Sequence, residues 1–151
     1  MDLIRENKQK KRAVFKGTDF YKKVWYVKDI KWLTDHVSLL DQYVPGYVKA
    51  HGWDDDSIWI MFNVIPGVPA SECKHTPEFV KQVHKFCLEN IKQTAPYAHG
   101  DWVLSNILVD GDTMKMCDWD NLNLWPKDAI RKKLHNDLKS AFGDKFDPTS
   151  I

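Results

Sequence analysis

The stretch His99-Gly100-Asp101-Trp102-Val103-Leu104-Ser105-Asn106-Ile107-Leu108-Val109-Asp110-Gly111, followed by Cys117-Asp118-Trp119-Asp120, decides the reading of this chain. Asp101 falls in a polar loop after a helical segment, and Asn106 lies five residues on. The apolar runs Ile107-Leu108-Val109 and Met114-Lys115-Met116-Cys117 flank Asp110-Gly111-Asp112, a strong hairpin signal. A hairpin returns its exit close to its entrance, so Asn106 and Asp118 are expected to be neighbours. An amide oxygen beside a carboxylate is a hard-oxygen pair suited to Mg²⁺, which completes its shell with water and phosphate oxygens. Asp101, close by but not needed as a ligand, could accept a proton from a hydroxyl. Together these residues match the needs of phosphoryl transfer from a nucleotide.

Working outward, Thr76-Pro77-Glu78 starts a helix, with Thr76 as cap and Pro77 at its first position. Val80, Val83, Cys87, Leu88 and Ile91 mark one face, and the helix is expected to end before Pro96. Ala129 to Phe142 reads as a final helix. Ala13 to Val27 reads as two strands around Gly17-Thr18-Asp19, and Asp29 to Gln42 as a helix capped by Asp29. Tyr47 to Ala50 and Ile58 to Val64 read as strands about a polar turn, His51 to Asp56, with the nearly continuous Ile58-Trp59-Ile60-Met61-Phe62 central. Pro66-Gly67-Val68-Pro69 is the expected hinge between a β-rich half and a helical half. The expected domains are a basic arm at 1–12, a β-rich lobe at 13–67 and a helical lobe at 68–151.

Composition bounds the partners. The 151 residues suit one domain of ordinary size. Lys and Arg total 22 against 21 Asp and Glu, a net charge of +1, which argues against a wholesale nucleic-acid coat. The basic start, with Arg5, Lys8, Lys10, Lys11 and Arg12, reads as a solvated end rather than an arm for an anionic partner. Cys73, Cys87 and Cys117 are odd in number and widely spaced, which reads as reduced thiols. No apolar run reaches the roughly 20 residues of a membrane span, and residues 1–12 lack a signal-like apolar core. The expected location is therefore the cytoplasm.

The motif HGDxxxxN, here His99-Gly100-Asp101 to Asn106, with Cys117-Asp118-Trp119-Asp120 after a hairpin, resembles the core of the protein-kinase-like superfamily. It is closest to the aminoglycoside, choline and lipopolysaccharide-sugar kinases, which carry HGD and IDW[DE] or IDF[DE]. The resemblance implies an α+β, truncated two-lobed kinase-like fold, with a small antiparallel sheet and one helix packed on a mainly helical C-terminal half. It implies ATP and Mg²⁺ as cofactors and transfer of the γ-phosphate to a hydroxyl of a small molecule or an atypical protein substrate. By resemblance Asp101 is the base that orients the acceptor, Asn106 and Asp118 are metal ligands, and His99 braces the loop. Asp120 either touches a second metal or caps a turn. Asp137 resembles the helical Asp that accepts hydrogen bonds from the catalytic-loop backbone.

In the first half, strand alternation leaves only one of Lys22 and Lys23 pointing inward. Lys23 resembles the family's phosphate-binding lysine, with Asp35 as its expected ion-pair partner and His36 as the neighbour that competes for that position. Met61 and Asn63, before Pro66-Gly67, resemble the segment that meets the adenine. Two departures stand out. Only Gly17 replaces a glycine-rich phosphate loop, and residues 119–151 leave no room for an activation segment with docking helices. The departures imply either an open site, or a partner protein or homodimer that supplies the missing wall. Minimal forms of this kind resemble those of phage or compact bacterial genomes, so a host cytoplasm is the expected setting for a phage-encoded chain. The alternative is a pseudokinase, a nucleotide- or partner-binding module.

Overall fold

The structure is a computed structural model that describes residues 1–8 and 11–149. The chain is α+β and divides into two compact units, Met1–Val64 and Ile65–Ile151.

The first unit is a five-stranded antiparallel sheet with one helix. Its strands are β1 (Asp2–Asn7), β2 (Arg12–Lys16), β3 (Phe20–Trp25), β4 (Val48–Trp53) and β5 (Ile58–Asn63), in the order β1-β2-β3-β5-β4. The apolar run Ile58 to Phe62 is flanked on both sides because it alternates Ile58, Ile60 and Phe62 into the core. Helix α1 (Ile30–Tyr43) starts where the Asp29 carboxylate accepts the Trp32 N–H at 3.0 Å. Leu33, His36, Val37 and Leu40 form its buried stripe, the spacing of an amphipathic helix against a sheet.

Two expectations change here. The segment Asp2–Asn7 is not a free arm but an edge strand with solvent-facing side chains, Glu6 opposite Ala13 and Asn7 opposite Arg12. Backbone pairing holds it, so its side chains stay outside while Leu3 and Ile4 remain exposed. Lys10, part of that basic run, lies outside the described residues. The turn expected over His51 to Asp56 is shorter, because β4 runs to Trp53 and the chain reverses within 54–57, where the Asp54 N–H meets the Ser57 carbonyl at 2.9 Å.

The second unit contains β6 (Val68–Pro69), α2 (Pro77–Thr94), β7 (Tyr97–Ala98), β8 (Ile107–Asp110), β9 (Thr113–Met116), β10 (Asn123–Leu124) and α3 (Lys127–Phe142). Thr76 caps α2 by accepting the Phe79 N–H at 3.1 Å. The hairpin β8–β9 closes with Asp110 opposite Thr113. Val68–Pro69, read from the sequence as a hinge segment, joins β8 as a short edge strand. The core gathers Val83 and Cys87 of α2, Leu134 and Leu138 of α3, and Trp102 and Ile107 of the loop and hairpin between them. No helix among the described residues is long and apolar enough to cross a membrane.

Burial has an electrostatic cost in this unit. His84 on α2 is 1% exposed and packs against His135 of α3 and Phe146, with neither ring nitrogen hydrogen-bonded. Desolvation, and then the neighbouring His135, push its pKa below the ordinary value of 6.5. A histidine with a lowered folded pKa stabilises most above its unfolded pKa and loses that contribution as pH falls through it. Urea midpoints are therefore expected to fall between about pH 7.5 and about pH 5, and less steeply in His84→Leu. Equal slopes in the two proteins would remove His84 from the acid response.

Candidate functional site

The helix α2 delivers the chain to His99-Gly100-Asp101, the loop leads into a 3₁₀ turn at Leu104–Asn106, and β8–β9 brings the chain back to Cys117-Asp118. His99 holds this loop from inside. It is fully buried, its Nδ1 accepts the Asp101 N–H at 3.2 Å, and its Nε2 lies 2.8 Å from the Cys117 carbonyl. One nitrogen accepts and the other must donate, so the proton sits on Nε2 and the ring is neutral. Burial pushes its pKa below the ordinary value, which fits that state.

Asn106 closes the other side. Its Nδ2 donates to both the Asp101 carbonyl and the Asp101 Oδ2, each at 3.2 Å. Its backbone carbonyl accepts the Cys117 N–H at 2.8 Å, which extends the hairpin ladder by one pair beyond Ile107 and Met116. The amide nitrogen is thus spent on Asp101, and Oδ1 is the atom available to a cation. Asp118, one residue past the ladder, sits at φ +59°, a left-handed conformation that Asp tolerates better than most residues and that clusters at functional sites.

Asp137 of α3 anchors the loop from below. Its carboxylate accepts the N–H of the fully buried Trp102 at 3.2 Å and is held by Lys133 Nζ at 2.7 Å. Asp120 is half-buried in the segment after β9, beside Trp119, whose Nε1 donates to the Met116 carbonyl at 3.0 Å. Asp101, His99, Asn106, Asp118 and Asp137 therefore belong to one connected loop system. Among the described residues no three His, Cys, Asp or Glu side chains converge as a ready metal cage. The donor set that is present, one amide oxygen and a carboxylate, still fits Mg²⁺, whose remaining ligands are water and phosphate oxygens.

In the first unit Lys23 is 7% exposed on β3, with its Nζ 5.5 Å from the Phe62 ring centre. Lys22 takes the opposite face, over Trp59 at 4.8 Å. Asp35 does not join Lys23. It is exposed on α1 and pairs with Lys31 at 2.6 Å, while its neighbour His36 occupies the buried stripe and stacks on Trp32. One residue of helix is about 100° of rotation, enough to take Asp35 from the core face to solvent. Met61 lies half-buried inside β5, between Lys22 and Ala50. Asn63 ends that strand and spends its Nδ2 on the Gly46 carbonyl and its N–H on the Tyr47 carbonyl, both at 2.9 Å.

At the turn between β2 and β3, Gly17 lets the Phe20 ring pack directly on the backbone. A Cβ there would lie 2.2 Å from the Phe20 ring. The segment standing where a glycine-rich loop would be is therefore a tight reversal packed on its own aromatic residue.

Two contributors escaped the sequence reading. Lys133 pairs with Asp137 at i,i+4 spacing, a signal present in the sequence. Trp125 covers Gly100, where the backbone is at φ +80° and a Cβ would sit 3.2 Å from the indole. No local pattern in the sequence assigns Trp125 to Gly100.

No protein-family model matches the sequence, and no curated protein matches it. Solved structures do match. Monomeric WbdD aligns with a TM-score of 0.65 and 18% identity over 88% of this chain and 37% of that one. A structure of WbdD describes it as a bifunctional kinase-methyltransferase. The aminoglycoside phosphotransferase APH(3'')-Id from Streptomyces rimosus aligns with a TM-score of 0.59 and 13% identity, over 95% of this chain and 79% of that one. The Cydia pomonella granulovirus kinase PK-1 aligns at 0.55 and 14%, over 82% and 54%. The chain thus spans little more than a third of the WbdD chains it matches.

Proposed function

Starting from a protein-kinase-like fold, which it shares with kinases and phosphotransferases, we propose that this chain moves the γ-phosphate of ATP to a hydroxyl. The acceptor is a small molecule or an atypical protein substrate. The observation that carries the reading is the double donation from Asn106 Nδ2 to Asp101, with His99 tying Asp101 to the residue before Asp118. That arrangement fixes one carboxylate and leaves an amide oxygen and a second carboxylate for a cation.

In this reading the Asp101 carboxylate orients the acceptor hydroxyl and takes its proton. Asn106 Oδ1 and the Asp118 carboxylate hold Mg²⁺, with Asp120 in reserve for a second ion. Bound there, Mg²⁺ would neutralise charge on the nucleotide phosphates. Lys23 supplies a buried ammonium for those phosphates. His99 and Asp137 are positioning residues, since their hydrogen bonds go to the loop itself. Catalysis is then chiefly positioning and electrostatics.

A second reading, a nucleotide-binding module without turnover, is favoured by one observation. Asp35 pairs with Lys31 at the surface and gives Lys23 no carboxylate from that position.

The test is thermal unfolding with and without Mg²⁺-ATP, beside Asp118→Ala. At about 100 times Kd a ligand adds roughly 2.7 kcal/mol. For a chain of this size that is a rise of about 5–10 °C. A Mg²⁺-dependent rise that disappears in Asp118→Ala is the expected result. No rise with any nucleotide would defeat both readings.

A further inference from the structure

Between the last turns of α2 and the first turns of α3 lies a cavity of about 720 Å³, separate from the Asp101 loop system and used by none of the chemistry above. That volume is within the roughly 300–1,000 Å³ typical of small-molecule sites. Its walls are apolar, from Leu88, Ile91, Ala98 and Ile130, with two aromatic rings, Tyr97 and Trp125. Its rim carries Lys92, Lys127 and Arg131 against a single acid, Glu89.

The rim is net positive, three cations against one carboxylate. Two other cations of the unit have carboxylate partners: Lys133 pairs with Asp137, and Lys139 with Asp144. Among the described residues the side chains of Lys92, Lys127 and Arg131 make no ion pair or hydrogen bond. Three like charges around one apolar hollow repel one another and are relieved by an anion. The helix ends contribute in opposite senses. The N-terminus of α3 has no side-chain cap but already carries Asp128 in its first turn, and the partial negative charge at the end of α2 is offset by Lys92 in its last turn.

We propose that this cavity binds an organic anion with a flat aromatic body, its ring between Tyr97 and Trp125 and its acidic group at Lys92, Lys127 and Arg131. An aromatic body is favoured because stacking on two rings adds to simple apolar burial. A bare inorganic anion would leave the apolar walls unused. Trp125 also covers Gly100, so a bound ring would press on the residue next to Asp101 without entering the Asp101 loop itself.

The probe is anilinonaphthalene sulfonate, titrated by fluorescence into the full chain at low salt, with no nucleotide present. One saturable site is expected. The double variant Lys127→Glu/Arg131→Glu is expected to weaken it by at least about tenfold, with the thermal midpoint of the unliganded protein unchanged. Lys81→Glu/Lys85→Glu, elsewhere on α2 and outside the cavity, is expected to leave affinity within about twofold. Inorganic phosphate at the same concentration is expected not to displace the probe, and an aliphatic carboxylate such as laurate to displace it poorly. Equal binding by the rim variant, equal weakening by both variants, or non-saturating binding would overturn the site. Equal displacement by laurate would overturn the aromatic ligand. Because no nucleotide takes part, a failure here is independent of any failure in phosphoryl transfer.

Discussion

Asp101→Asn is expected to lower γ-phosphate release or transfer by about 10²–10⁴-fold, the usual contribution of a positioned general base. The substitution keeps shape and keeps one oxygen to accept from Asn106 Nδ2, so the loop geometry survives. Affinity for Mg²⁺-ATP, read from the thermal rise, is expected to stay within about threefold. This split separates a proton acceptor from a binding residue, because lost binding would move both numbers together. The measurement is the release of labelled phosphate from ATP, alone and with candidate hydroxyl acceptors. Turnover within tenfold of the parent would take Asp101 out of the proton-accepting role.

The second large effect concerns stability. Asp137→Ala removes the acceptor for the buried Trp102 N–H and strands that donor away from water. An unsatisfied buried donor costs about 1–3 kcal/mol, and a bond to a charged acceptor carries the upper part of that range. A loss of about 2–4 kcal/mol is expected, or about 5–15 °C in Tm for a chain of this length. Asp137→Asn keeps an oxygen for Trp102 and is expected to lose about half as much. Lys133→Met removes only the partly exposed partner and is expected to cost under about 1 kcal/mol. Urea melts of the three variants give the ranking. An Asp137→Ala protein as stable as the parent would mean that water reaches Trp102 and that the anchor is dispensable.

Local chemistry made much of the architecture legible. Thr76-Pro77 announced α2 through a cap and a proline with no N–H to waste, and Asp110-Gly111-Asp112 announced the hairpin that returns Cys117 to Asn106. Strand alternation separated Lys23 from Lys22. Where the reading failed, the deciding force was non-local. Residues Asp2 to Asn7 are mostly polar and bury little, so no periodicity betrays them. They are a strand only because β2 offers an edge. Asp35 and His36 differ by one step of helix, and only the packing of α1 decides which faces the core. The cavity is invisible in the sequence for a related reason. Its walls come from the end of one helix and the start of another, more than thirty residues apart, and nothing local joins Ile91 to Ile130.

The hydrogen bonds around Asn106 also bear on how the protein ages. Asparagine deamidates when the next backbone nitrogen attacks the side-chain carbonyl, and the product here would set a second carboxylate against Asp101. That nitrogen belongs to Ile107, which is fully buried and β-branched, and whose N–H is already given to the Leu104 carbonyl. The geometry that aims the amide at Asp101 therefore also withholds the nucleophile that would destroy it, and peptide mapping of stored protein is expected to find Asn106 intact.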